Sequence, residues 1–188
     1  MEVLTKKLTY QEFKQLEFDD DDPYWYELIN GELVRKFSPT LQHQNIADNI
    51  LIAMKLFARE KQLGKAYSAP LDVVLDDGNS YHPDVLFVRK DRYHILDEDE
   101  QVVIGAPDLV VEILSPGTAI YDKGDKKDIY EKYGVREYWL VEPKSKAVEI
   151  YAFVDQRFKL VQYAQETGEV ESKVLEGFKL DLDKIFED

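Results

Sequence analysis

Apolar and polar positions along the N-terminal part of the chain predict a short helix and then a hairpin. Thr9 and Glu12 have the spacing of a capping box, in which each residue bonds to the backbone of the other at a helix start. The segments YWYELI and ELVRKF flank Asn30-Gly31, a dipeptide that suits the positive φ angles of a type I′ turn. We therefore expect a β-hairpin over these two segments.

A helical period follows the hairpin. Ser38-Pro39-Thr40 offers a cap, and Gly64 is available as a stop, so a long amphipathic helix is predicted over 41–62. Its apolar positions recur three and four residues apart: Ile46, Ala47, Ile50, Met54 and Phe57.

After the long helix, the pattern of apolar residues predicts β-strands. AYSAPLDVVL and SYHPDVLFVRK are rich in β-branched and aromatic residues and are separated by the turn sequence at 76–79. PDLVVEILSP is almost continuously apolar, as in the buried middle of a sheet. A second helix is predicted from Asp122 to Tyr133, with Gly134 after it and the strand REYWLVEP beyond. The order from residue 41 is thus α-β-β-β-α-β.

The C-terminal part predicts a β-meander, KAVEIYAF and RFKLVQYA, and a short closing helix in LDLDKIFED. With 188 residues, the chain has the length of one domain, and we expect a single mixed α/β (α+β) domain over 1–188. No apolar run has the length of a signal peptide or a membrane span, which favours a cytoplasmic protein without membrane contact.

The amino-acid composition restricts the kinds of metal site and of nucleic-acid binding that the chain can have. Cysteine is absent, so a bound metal must rest on oxygen or imidazole ligands, which favours Mg²⁺ or Mn²⁺ over structural zinc. The net charge of −14 counts against strong nonspecific binding of DNA, which normally needs a basic footprint. Part of the acidity lies in two short runs, Asp19–Asp22 and Asp97–Glu100, which are typical of solvated loops.

Two carboxylates stand out as candidate metal ligands. Asp84 follows Pro83 at the start of the apolar strand VLFV, and Glu112 lies inside VVEIL, where a charge is costly unless it is paired or metal-bound. Lys126 shares a helical face with Ile129, so it is the lysine that we expect to point towards the sheet, whereas Lys127 is expected to face solvent. A phosphodiesterase site needs this combination of carboxylate-held metal and a cation beside an activated water.

His43 lies one turn before Ile46 on the inner stripe of the long helix, where its imidazole could reach the mouth of such a site. Each candidate also has a structural interpretation. Asp84 fits a turn carboxylate after proline, and Glu112 fits a partner of a buried cation. Lys126 fits a side chain that covers apolar surface, and His43 fits a polar residue at a helix start.

Other catalytic patterns are missing from the sequence. There is no G-x-S-x-G nucleophile elbow, no phosphate-binding glycine loop and no H-E-x-x-H zinc motif. His82 and His94 have no role assigned by spacing.

Several strings together resemble one known family. YELINGELV, SPTLQHQNIADNIL, HPDVLFV, PDLVVEILSP, YDKGDKKDIYEKYGVREYWLVEP and LDLDKIF are similar to the Uma2 family, also called DUF820. This is a group of restriction-endonuclease-like proteins abundant in cyanobacteria. The resemblance runs from about residue 24 to the end and implies the PD-(D/E)XK nuclease fold, whose core order matches the α-β-β-β-α-β order above.

The resemblance also implies roles for single residues. It places the family's PD aspartate on Asp84 and its strand glutamate on Glu112, both as metal ligands. Leu114 stands where the usual E-x-K lysine would be, so this sequence departs from the standard pattern, and Lys126 of the following helix fits the migrated lysine. A rival register uses Asp108 with Glu142-Pro143-Lys144, but Pro143 ends the strand and Lys144 enters a polar turn.

The function expected from these residues is Mg²⁺-dependent (or Mn²⁺-dependent) endonuclease activity with DNA as the partner, carried by Asp84, Glu112 and Lys126. One alternative is an inactive nuclease-fold module that binds or regulates, as a homodimer. Another is hydrolysis of a different phosphodiester.

Overall fold

The computed structural model of the protein describes residues 6–18 and 22–187. Three residues of the predicted acidic loop, 19–21, lie outside these ranges. The helices are α1 (Tyr10–Phe13), α2 (Leu41–Lys61), α3 (Ala119–Lys123), α4 (Asp125–Lys132) and α5 (Leu182–Ile185), with a 3₁₀ helix at Lys90–Ile95. The strands are β1 (Tyr24–Ile29), β2 (Glu32–Phe37), β3 (Gly64–Ser68), β4 (Val73–Asp76), β5 (Asn79–Tyr81), β6 (Val85–Arg89), β7 (Leu96–Asp97), β8 (Val102–Ile104), β9 (Leu109–Ile113), β10 (Glu137–Glu142), β11 (Ala147–Val154), β12 (Arg157–Gln165), β13 (Glu169–Glu171) and β14 (Lys179–Asp181).

Two mixed sheets of six strands organise the fold. The central sheet has the order β12-β11-β10-β9-β6-β3, and the hairpin sheet has the order β2-β1-β5-β4-β8-β7. Strands β9 and β10 run parallel, joined by the crossover through α3 and α4. Within the central sheet the order α2-β3-β6-β9-α4-β10 confirms the predicted α-β-β-β-α-β core.

Each of the two long predicted strands is in fact two strands, which is a correction to the sequence prediction. AYSAPLDVVL divides at Pro70 between β3 and β4, and SYHPDVLFVRK divides at Pro83 between β5 and β6. Proline has no N–H to give to a strand ladder, so both runs end their pairing in one sheet there and resume it in the other. Asp84 consequently lies at a crossing point between the two sheets.

The long helix begins as predicted. Thr40 is its N-cap and accepts a hydrogen bond from the backbone N–H of His43 at 3.2 Å. The helix ends at Lys61 with Gln62 in a left-handed conformation (φ 55°), so Gly64 is not its stop. Gly64 instead opens β3, where a Cβ atom would lie 2.2 Å from the carbonyl oxygen of Val88.

The predicted hairpin and N-terminal helix are both present. Asn30 and Gly31 have φ angles of 52° and 79°, as a type I′ turn requires, and β1 pairs antiparallel with β2. Thr9 and Glu12 form both bonds of the capping box at α1.

The predicted helix over 122–133 is interrupted at Gly124, which separates α3 from α4 with φ −115° and ψ −107°. Lys126, Ile129 and Tyr130 are the buried residues of α4. Lys127 is partly exposed, and its ammonium lies 3.4 Å from the centre of the Tyr151 ring.

The central sheet separates two apolar cores. One face packs against α2 and α5 through residues such as Val111 and Trp139. The other face packs against α4 and the hairpin sheet through residues such as Val110 and Tyr138. The predicted meander is the antiparallel pair β11 and β12. No helix in the described ranges is long and apolar enough to cross a lipid bilayer.

Candidate active site

The two predicted carboxylates come from neighbouring strands of the central sheet. Strand β6 pairs antiparallel with β9, and the pairing of Val85 with Val111 places Asp84 next to Glu112. Asp84 accepts a hydrogen bond from the backbone N–H of Ile113 at 2.7 Å. Both side chains are buried, with relative exposures of 8% for Asp84 and 1% for Glu112.

Lys126 enters the same cluster from α4. Its ammonium lies 2.5 Å from Glu112 Oε1, 3.1 Å from Asp122 Oδ1 and 3.4 Å from Glu27 Oε2. Its side chain is only 1% exposed. The structure therefore brings Lys126 into contact with Glu112, with Asp84 on the neighbouring strand, and it encloses the lysine completely.

Four further residues of the cluster were missed by the sequence analysis. Glu27 of β1 is 2% exposed and bridges two lysines, since its Oε1 lies 3.2 Å from the ammonium of Lys36 on β2. Asp122 adds a third carboxylate to Lys126, and Tyr130 donates its hydroxyl to Glu112 Oε1 at 3.0 Å.

Negative charge exceeds positive charge in this buried cluster. Burial raises the pKa of Glu112, and repulsion from Asp122 and Asp84 adds to it, so that despite Lys126 and Lys36 the value reaches about 8. Three carboxylates compete for the charge of Lys126, whose own pKa is held well above its usual value although burial opposes this. The shifted pKa values favour a protonated Lys126, and they make Glu112 harder to ionise than an exposed glutamate.

Asp84 behaves differently from Glu112. Burial acts to raise its pKa, but the hydrogen bond from His43, the charge of Lys36 and the N–H of Ile113 outweigh burial and lower it. The two candidate ligands therefore have pKa values moved in opposite directions, and perturbed pKa values cluster at functional sites.

His43 reaches the site as expected. Its Nε2 lies 3.2 Å from Asp84 Oδ2 and 3.1 Å from the carbonyl oxygen of Ile113. A carbonyl can only accept a hydrogen bond, so Nε2 carries the hydrogen in this arrangement. Asp84 Oδ2 and the carbonyl oxygen of Ile113 consequently both lie next to the Nε2–H group of His43.

This donor set fits a hard divalent cation. Mg²⁺ is commonly held by one or two carboxylates and completes its shell with water and substrate phosphate. Asp84, Glu112 and the carbonyl of Ile113 would supply oxygen ligands to such an ion, which would neutralise the excess negative charge of the cluster. Across residues 6–18 and 22–187, no three Asp, Glu or His side chains already converge as a metal site. Water and main-chain oxygen would complete the shell.

The rival register does not form a site. Asp108 precedes β9, where it accepts the backbone N–H of Arg89 at 2.9 Å and pairs with Arg92 at 3.1 Å. Glu142 ends the parallel strand β10, whose first residue, Glu137, pairs with Leu109. Asp108 and Glu142 therefore lie at opposite ends of neighbouring strands.

The remaining histidines lie outside the carboxylate pair. His82 Nε2 is 2.6 Å from Asp72 Oδ1, and its backbone N–H donates to Glu27 Oε1 at 2.9 Å, so this residue helps to fix Glu27. His94 is exposed on the 3₁₀ helix.

The core order, the two mixed sheets and the carboxylates on adjoining strands define a nuclease-like fold of the restriction-endonuclease type. The family model for Uma2, described as "Putative restriction endonuclease", matches residues 10–183, and the chain belongs to this family. A solved structure from Anabaena variabilis, described as a "putative nuclease belonging to DUF820", superposes with a TM-score of 0.76 over 95% of this chain and 97% of that one, at 23% identity. An uncharacterized protein of Synechocystis sp. is 25% identical over 170 residues, covering 89% of this chain and 93% of its own.

Proposed function

We propose that the protein is a metal-dependent endonuclease that hydrolyses phosphodiester bonds, with DNA as its substrate. The observation that carries the proposal is the meeting of Asp84 and Glu112, from adjacent strands, in a buried cluster with more carboxylates than cations. Such a cluster is costly in an apolar core unless it binds cations. Membership of the family supports the same activity class.

In this proposal the residues of the site have separate roles. Asp84, Glu112 and the carbonyl oxygen of Ile113 would hold Mg²⁺ or Mn²⁺, which would supply charge neutralisation and an activated water. Lys126 and Tyr130 fix the orientation of the Glu112 carboxylate. His43 holds Asp84 from the side of α2.

The reaction is a balanced hydrolysis. The oxygen of water forms a bond to phosphorus while the bond from phosphorus to one ester oxygen breaks. One hydrogen of the water ends on the leaving oxygen as a hydroxyl group, and the other stays on the phosphate monoester or passes to solvent.

A basic groove at the opposite end of α2 and β6 from Asp84 and His43 offers further contacts to a long polyanionic substrate, despite the net charge of −14. A cavity of about 510 Å³ between the C-terminal half of α2, β3 and the 3₁₀ helix is lined by four cations, which are Lys55, Arg59, Lys65 and Lys90. Within the described part of the chain, Lys55, Arg59 and Lys90 have no carboxylate partner within 4.0 Å. Cations without partners are suited to contact phosphates.

The test is cleavage of supercoiled plasmid by purified protein with Mg²⁺ or Mn²⁺, compared with EDTA. We expect nicked and linear products only with the metal, and none with Glu112→Ala. Undiminished cutting by Glu112→Ala would exclude this site from the reaction.

A second candidate is a binding or regulatory module without catalysis, working as a homodimer. The observation that favours it is the ion network itself, since Glu112, Glu27 and Asp122 already have Lys126 as a partner. This function predicts no metal-dependent thermal shift and no cleavage of any nucleic acid. Sedimentation of the purified protein would test the dimer.

A further inference from the structure

The catalytic amine expected from the sequence cannot touch a substrate. An ammonium group has three N–H donors, and Lys126 has three carboxylates around it, from Glu112, Asp122 and Glu27. Its side chain is 1% exposed. No donor and no open face remain for a phosphoryl oxygen, so Lys126 acts through Glu112 and is a positioning residue.

A different ammonium lies at the edge of the same cluster. Lys36 belongs to β2 of the N-terminal hairpin, outside the α-β-β-β-α-β core. Its ammonium lies 3.2 Å from Glu27 Oε1, which is its one carboxylate partner within 4.0 Å in the part of the chain that the structure describes. Its side chain is 16% exposed, as is that of His43. Lys36 therefore has N–H donors that bind no carboxylate among the described residues, and its side chain is partly exposed to solvent.

Ion pairs link Lys36 to the candidate site: Glu27 contacts Lys36 at 3.2 Å and Lys126 at 3.4 Å, and Lys126 contacts Glu112 at 2.5 Å. Burial and the charge of Lys126 act to lower the pKa of Lys36, but attraction by the nearby carboxylates, chiefly Glu27, outweighs them and raises this pKa to about 12. The side chain stays protonated at every pH at which the protein would act. Its carboxylate partner, Glu27, is in turn fixed by Lys126 and by the backbone N–H of His82.

We propose that Lys36 is the ammonium group that contacts the phosphodiester, donating a hydrogen bond to a non-bridging oxygen and stabilising the negative charge that develops there. This inference rests on the proposed function of the same site. A preorganised donor of this kind is typically worth about 10²- to 10³-fold in rate. The hairpin thus supplies the amine that is missing from the E-x-K position. In this chain that position, two residues after Glu112, is Leu114.

The experiment compares Lys36→Met with Lys36→Arg and with the control Lys159→Met. Lys159 is an exposed lysine of β12, half-exposed beside Asp155, so its substitution removes the same charge far from the carboxylate pair. Single-turnover cleavage of plasmid with Mn²⁺ gives the rate, and a fluorescent DNA duplex in Ca²⁺ gives the affinity. Thermal unfolding shows whether each variant keeps its fold.

We expect Lys36→Met to lower the cleavage rate about 100-fold or more while Lys36→Arg keeps part of it. DNA affinity should fall about 3- to 10-fold for Lys36→Met and stay unchanged for Lys159→Met, because one phosphate contact is lost. Cleavage by Lys36→Met within 3-fold of wild type, in a folded variant, would overturn the proposal.

The outcomes separate the two proposals. If the wild-type protein cuts no nucleic acid, the proposed function fails, but the affinity difference between Lys36→Met and Lys159→Met still decides the contact. Equal affinities of these two variants, or no binding of the duplex by the wild type, would refute the role of Lys36.

Discussion

The ammonium of Lys126 on α4 lies 2.5 Å from the carboxylate of Glu112 on β9, and both side chains are 1% exposed. A buried pair of this kind is strongly dependent on both partners, because removing one leaves the other charge without compensation. Lys126 also compensates Asp122 and Glu27, so its removal would leave three buried carboxylates with too little positive charge.

Substitution Lys126→Met is therefore expected to lower the free energy of unfolding by about 3–5 kcal/mol. Urea denaturation followed by the fluorescence of Trp139, which is fully buried, measures the loss. Lys127→Met is the matched control on the same helix, since it removes a cation that stacks on Tyr151, and we expect about 0.5–1 kcal/mol. Equal losses in the two variants would contradict the central role of Lys126.

The raised pKa of Glu112 predicts how stability depends on pH without metal. Its pKa rises from 4.5 in the unfolded chain to about 8 in the fold, chiefly through burial. Both states are protonated below pH 4.5, and between 4.5 and about 8 only the unfolded state releases the proton. The contribution of Glu112 to stability is thus full below pH 4.5 and is lost as pH rises through this window.

The measurement is the melting temperature in EDTA across this pH window for wild type and Glu112→Gln. The wild-type curve should fall towards pH 8, and the Glu112→Gln curve should be flatter, because glutamine has no proton to release. Parallel curves for the two proteins would show that Glu112 is ionised throughout.

Metal binding is expected to reverse this loss. A divalent ion needs the ionised carboxylate, so the rise in melting temperature on adding Mn²⁺ should be larger at pH 8 than at pH 6. Asp84→Asn and Glu112→Gln should each remove most of the shift, since each removes a charged ligand.

Asp108→Asn is the control for the rival register. Asp108 is fully buried and pairs with Arg92, so this variant should lower stability while it keeps the Mn²⁺ shift. Loss of the shift in Asp108→Asn and its retention in Glu112→Gln would move the metal site to the other register.

The sequence indicates those residues of the cluster that contradict their surroundings. Glu112 is a charge inside an apolar strand, and Lys126 lies on the apolar face of its helix. Glu27 carries the same kind of signal, since it is a charge in the apolar run YWYELI. The helix over 41–61 and the hairpin at Asn30-Gly31 were equally accessible because local turn and cap chemistry fixes them.

Other features could not be predicted because they depend on contacts distant along the chain. Glu27 and Lys36 are diagonal neighbours on one face of the hairpin, so their contact follows from the hairpin register. The contact of Glu27 with Lys126 depends instead on how the hairpin docks against α4, which no local pattern encodes. Pro70 and Pro83 are local signals that a strand ends at each of them. That the chain passes from one sheet to the other at these prolines depends on which strands pair with each segment, and the sequence does not show this.

The basic groove gives a prediction for binding that is independent of cleavage. Lys55 and Arg59 lie one turn apart on α2 and line the cavity together with Lys65 and Lys90. If both contact phosphates, the double substitution Lys55→Glu and Arg59→Glu should weaken DNA binding, and the slope of log affinity against log salt should decrease by about 0.9 for each lost contact.

The control for the groove is Lys159→Glu with Lys179→Glu, which changes the net charge equally at two exposed lysines that already have carboxylate partners. Fluorescence anisotropy of a duplex in Ca²⁺, titrated over 50–200 mM salt, measures both affinity and slope. We expect the groove variant to bind more weakly than the control at every salt concentration, because Lys55 and Arg59 have no carboxylate partner within 4.0 Å among the described residues, whereas Lys159 and Lys179 each have one. Identical slopes for the two double variants would mean that repulsion by net charge, and not contact in the groove, governs binding.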